Sequence, residues 1–95
     1  MFVRVVSFIC KAGVEDEFKR IGRDILVPVN EKAGCLKIYF LESGTGDDKS
    51  SFGVISMWED EETLNKMRKS ESYGAVVKQL QPLIESVQDR VYITT

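Results

Sequence analysis

The stretch Phe2-Val3-Arg4-Val5-Val6-Ser7-Phe8-Ile9-Cys10 is β-branched and aromatic almost throughout, interrupted only by Arg4 and Ser7. In an extended strand, successive side chains point to opposite faces. Both alternating sets here are apolar: Phe2, Val6 and Phe8 on one side, Val3, Val5 and Ile9 on the other. Such a strand needs cover on both faces. Two later segments repeat the pattern. Cys35, Tyr39 and Leu41 alternate with Leu36, Ile38 and Phe40, while Phe52, Val54 and Trp58 alternate with Ile55 and Met57. Any fold for this chain must hide two greasy sheet faces.

Helical periodicity appears between these strands. Val14, Phe18, Ile21, Ile25 and Val29 recur every three or four residues, which predicts one amphipathic helix from about Val14. Glu15, Asp16 and Glu17 suit its first turn, and Pro28 is expected to kink or end it. Asp60 is a plausible N-cap for a second helix carrying Leu64 and Met67. Ser70 can cap a fresh helical segment with Tyr73, Val76, Val77 and Leu80, and Pro82 suits a last short turn. Val87 to Thr94 reads as the fourth strand, and Ser43 to Ser50 as a hairpin loop.

The order is therefore β-α-β-β-α-β. That is the ferredoxin-like α+β arrangement, an antiparallel sheet in spatial order 4-1-3-2 with its helices on one face. Ninety-five residues make one domain, 1–95. The helices cover only one sheet face, and an open apolar face of several hundred Å² is not tolerated on a soluble monomer. A second copy is the simplest cover, so a homodimer is expected.

Composition removes several function classes. The net charge is −2 and no basic face stands out, so no nucleic-acid partner is expected. No apolar run reaches the ~20 residues of a membrane span, and no signal peptide is legible, so a cytoplasmic location is expected. Two cysteines without a CxxC pattern read as buried free thiols, and with no histidine in the chain nothing is present to activate them. No metal is expected from this residue set. The glycines of the 43–50 loop lack the Gly-Lys-Ser/Thr ending of a phosphate loop.

The order and spacing of short motifs carry a resemblance. Lys11-Ala12-Gly13 followed by Glu17-Phe18, Ala33-Gly34-Cys35, Trp58-Glu59-Asp60, Ser70 to Tyr73, and Leu80-Gln81-Pro82-Leu83 occur in one sequence. Together they resemble the antibiotic-biosynthesis monooxygenase (ABM) domain of the dimeric α/β-barrel superfamily. The resemblance implies a barrel-forming dimer with a pocket in each subunit between sheet and helices. It also implies a cofactor-independent monooxygenase acting on a small aromatic or quinol-like molecule, with no cofactor bound. Haem-degrading members use a histidine ligand and an asparagine in the first strand. This chain has neither, and Ser7 stands in that strand.

Within that frame, Trp58, Tyr73 and Asn30 are the expected catalytic residues, and Arg4, Ser7 and Trp58 the expected substrate-binding ones. Each has a structural reading beside the functional one. Trp58 offers a flat stacking wall with one N–H donor, or a core seal under the second helix. Arg4 would hold a phenolate or enolate oxygen, or pair with a carboxylate. Asn30 would orient a carbonyl, or simply end the first helix. Tyr73 would donate its hydroxyl at the pocket mouth, or pack half-buried on its helix. Ser7 would bond a ligand, or satisfy itself locally. Tyr92 is expected at the same end of the sheet. A non-catalytic dimeric binding or interaction domain is the alternative reading of the whole chain.

Overall fold

A computed structural model describes all residues, 1–95. Four strands form one antiparallel sheet: β1 (Phe2–Cys10), β2 (Lys37–Glu42), β3 (Ser51–Trp58) and β4 (Ile84–Ile93). Their spatial order is β2-β3-β1-β4. The sheet is the ferredoxin-like one expected from the alternation. Strand β4 begins three residues earlier than its sequence suggests, directly after a single 3₁₀ turn over Gln81–Leu83.

The helical layer comprises α1 (Glu15–Ile21), a π-helical turn over Gly22–Leu26, α2 (Val27–Lys32), α3 (Glu61–Arg68) and α4 (Glu71–Leu80). Both expected caps form. The Thr63 N–H donates to Asp60 Oδ1 at 2.8 Å, and the Tyr73 N–H donates to Ser70 Oγ at 3.2 Å. Each satisfies an amide that the first helical turn leaves without a partner.

Pro28 does not end the first helix. The Val27 N–H reaches back five residues to the Gly22 carbonyl, and the helix continues through Pro28 to Lys32. The wider turn adds one residue to the winding. Downstream, Leu26 and Asn30 become the fully buried positions, while the expected Ile25 and Val29 pack half-buried against the core. Gly22 permits this seat on the sheet, because a Cβ there would overlap the Phe40 ring.

The core lies between sheet and helices. Phe8, Phe18 and Phe52 form its aromatic centre, with ring centroids 5.3 Å and 5.0 Å apart. A separate small cluster of Trp58, Leu64 and Met67 seals one end. The molecule is a thin slab of 36 × 30 × 19 Å, the depth of one sheet and one helical layer. The other sheet face carries Val3, Val5, Ile55 and Met57, with Ile9, Tyr39, Leu41 and Tyr92 each more than 40% exposed. No helix covers it.

Candidate functional site

A cavity of 350 Å³ lies between the sheet and the helical layer. Its floor comes from the helix-facing side chains of β1 and β3: Arg4, Val6, Phe8, Val54 and Ser56. The π-turn and α2 contribute Leu26 and Asn30, and α4 contributes Tyr73, Val77 and Leu80. Val87 and Asp89 of β4 close the remaining side. Val77 and Val87 are 38% and 51% exposed, which places the mouth between α4 and β4. The size falls within the range of small-molecule sites, and the lining is apolar with a few polar groups.

Strand register explains how the polar groups meet. Arg4 sits directly opposite Ser56 on β3, and Asp89 is opposite Val6 on β4, one diagonal step from Arg4. The Arg4 guanidinium forks onto the Asp89 carboxylate, with Nε to Oδ1 at 3.0 Å and Nη2 to Oδ2 at 2.6 Å. Nη2 also donates to the Tyr73 hydroxyl at 2.9 Å. Arg68 approaches the same carboxylate from outside at 3.4 Å. Burial alone would lower the Arg4 pKa. The hydrogen bond and charge of Asp89, with Tyr73, outweigh that and leave it raised. The Arg4 hydrogen bond in turn holds the Asp89 carboxyl below its usual range, with Arg68 adding to the effect. Both groups keep their charges at neutral pH.

Asn30 is 3% exposed and donates from Nδ2 to the Leu26 carbonyl at 2.9 Å. That bond fixes the amide, so Oδ1 is its free acceptor on the cavity side. Ser56 is buried and accepts a hydrogen bond from Trp58 Nε1 at 2.9 Å.

Of the residues singled out in the sequence, Arg4, Tyr73 and Asn30 converge on this cavity. Two others do not. Trp58 is completely buried and lines no part of it, because α3 folds Leu64 and Met67 over the indole. The core-seal reading replaces the stacking wall, and Trp58 reaches the cavity only through Ser56. Ser7 points from the opposite sheet face, in an open groove with Ile9, Leu41, Gly53 and Gln88. Its odd position in β1 puts it out of register with Arg4. Tyr92 shares that open face, paired with Val3.

Sequence reasoning missed Ser56 and Asp89. Each left a signal. Ser56 interrupts the apolar set of β3 two residues before Trp58, and Asp89 stands between Val87 and Val91 on the strand beside Arg4. An arginine inside one apolar strand calls for a carboxylate on its neighbour.

Cys10 and Cys35 are free, and burial pushes both thiols up, which keeps them protonated at neutral pH. No three metal-ligating side chains are grouped anywhere in the chain. No helix is long and apolar enough to cross a membrane.

Residues 1–79 match the family model described as antibiotic biosynthesis monooxygenase. A search of curated proteins found no match. Among solved structures, SnoaB, a cofactor-independent oxygenase from Streptomyces nogalater, is similar with a TM-score of 0.83 and 15% identity, covering 98% of this chain and 91% of that one. PA3566 from Pseudomonas aeruginosa gives 0.84 and 18%, covering 99% and 93%. An uncharacterized NIPSNAP domain protein from Burkholderia xenovorans gives 0.73 and 14%, covering 100% and 95%. At these identities the likeness concerns the fold, whereas the family match spans most of the sequence. The chain belongs to the antibiotic biosynthesis monooxygenase family.

Proposed function

We propose that this chain is a homodimeric, cofactor-independent monooxygenase acting on a small aromatic or quinol-like molecule in its cavity. The observation that carries the reading is the Arg4–Tyr73–Asp89 cluster set into a cavity lined mostly by apolar side chains. Arg4 Nη1 has no protein partner, and Tyr73 accepts from Arg4 and so keeps its own proton to donate. Both donors stabilise an oxygen anion on a bound aromatic, in a setting drier than water. An ionised, electron-rich ring passes an electron to O₂ without help from a bound group. In the overall reaction the ring CH₂ of an anthrone plus O₂ becomes a carbonyl plus water, and a naphthoquinol plus O₂ becomes a hydroxynaphthoquinone plus water. The fold of SnoaB, named as a cofactor-independent oxygenase, supports this assignment.

The protein supplies anion stabilisation and no proton acceptor. Asp89 is held low by Arg4, and the chain contains no histidine. The rate is therefore expected to follow ionisation of the substrate's own hydroxyl, rising with pH rather than tracing a bell. The test is O₂ uptake with a panel of reduced naphthoquinols and anthrones. Tyr73→Phe is expected to lower kcat by roughly 100-fold. No uptake above buffer for any panel member would end the monooxygenase reading.

The same missing base favours a second reading, a dimeric ligand-binding domain without turnover. Tight binding of a panel member with no oxygen consumed would select it. Under either reading the uncovered sheet face packs against that of a second copy. The two free thiols suit a reducing, cytoplasmic setting.

A further inference from the structure

We infer that Ser56 donates a hydrogen bond to an oxygen of the bound ligand, and that Trp58 is the positioning residue that aims it. This deepens the proposed function, and it rests on that reading only in taking the cavity as the ligand site.

An indole N–H can only donate. Trp58 Nε1 donates to Ser56 Oγ at 2.9 Å, so one lone pair of that oxygen is occupied. The hydroxyl proton is left, and no backbone or side-chain acceptor in the protein takes it. Ser56 is 1% exposed, yet it lines the cavity beside Arg4, its direct cross-strand neighbour. The proton's outlet is therefore the cavity. Trp58 is completely buried under α3 and held rigid, so the direction of its N–H is fixed by packing.

Three donors now share one wall: Arg4 Nη1, the Tyr73 hydroxyl and the Ser56 hydroxyl. Asn30 Oδ1, which takes no hydrogen bond from the protein, is an acceptor in the same cavity lining. Such a wall selects ring compounds that carry an acceptor oxygen, a ketone, quinone or phenolate, over hydrocarbons of the same shape. Failing to pair a buried polar group is what makes such discrimination steep.

The test uses 1-tetralone and tetralin, ring compounds of similar shape that differ in one carbonyl. The chain has a single tryptophan, so its indole N–H gives one resonance in a proton–nitrogen correlation spectrum. When a ketone accepts from Ser56, the serine oxygen becomes a stronger acceptor for the indole. The indole resonance is expected to move with 1-tetralone and to stay put with tetralin. That readout needs no variant. Ser56→Ala is expected to weaken 1-tetralone by roughly threefold to tenfold and leave tetralin unchanged, while Ser56→Thr retains the preference.

An indole resonance that stays still while 1-tetralone shifts the Leu26 and Leu80 methyls would overturn the inference. So would wild-type affinity for 1-tetralone in Ser56→Ala. If neither probe enters the wild-type cavity, the ligand site itself falls, and the proposed function with it. If the Ser56 signature appears but no quinol consumes oxygen, the monooxygenase reading falls and this inference stands.

Discussion

Ile55→Glu is expected to turn the proposed dimer into a single subunit. Ile55 lies on the uncovered sheet face, between Tyr39 of β2 and Val5 of β1 in the ladder. Its row runs Tyr39, Ile55, Val5 and, two strands away, Arg90, so a second copy seated there would enclose the new carboxylate among apolar neighbours. An enclosed charge without a partner costs several kcal/mol. A cost of about 3 kcal/mol raises Kd by roughly two orders of magnitude. The fold within one subunit is untouched, because Ile55 points away from the core. Sedimentation equilibrium at micromolar concentration is expected to give the mass of two chains for the wild type and 10.8 kDa for the variant. A wild type already at the single-chain mass would refute the proposed dimer, and a variant that still sediments as two chains would refute this face as its seat.

Asp89→Ala is expected to destabilise the subunit substantially. It strands the Arg4 guanidinium, 7% exposed, with Tyr73 as its remaining partner. Removing one side of a fully buried pair costs about 3–5 kcal/mol. Asp89 is more than a third exposed, so part of that cost is relieved by water reaching the site. A loss of about 2 kcal/mol is expected, with a fall in Tm of roughly 10 °C. Arg4→Met combined with Asp89→Leu should recover much of it, since an apolar pair leaves no charge unpaired.

The pair also sets an acid limit. Arg4 depresses the Asp89 pKa in the folded state, so its contribution is fully present above the unfolded carboxylate value, about 3.9. That contribution is lost as pH falls through the lower folded value. Urea unfolding between pH 5 and pH 2 is expected to show this loss in the wild type and a flatter profile in Asp89→Ala. Equal slopes would remove Asp89 from the account.

The sheet was legible in the sequence because strand alternation is local. Each of β1, β2 and β3 carries its two faces in its own residues, and the order of elements then fixes the topology. Arg4, Tyr73 and Asn30 were legible as polar or amphipathic groups in apolar surroundings. Trp58 was misplaced as a pocket wall because its environment is made by α3, and no local pattern says how Leu64 and Met67 will close over the ring. Ser7 was misplaced by one step of alternation, which reverses its face. Asp89 pairs with Arg4 across 85 residues of sequence, so only the neighbouring of β1 and β4 reveals it. The first helix misled most. Its apolar spacing fits a regular α-helix, and the registration of Gly22 on Phe40 accompanies a different winding.

That winding decides which side chains the helix presents to the sheet. Wound evenly, it would turn Ile25 and Val29 toward the sheet and leave the chamber wall without an amide. Wound with its one loose turn, it buries Leu26 and Asn30 fully and leaves Ile25 and Val29 half-buried at the core's margin. Shortening the chain by one residue at exposed Arg23 would tighten the coil and still deliver the same pair. The chemistry of this wall is thus written in the pitch of the backbone as much as in the identity of its side chains.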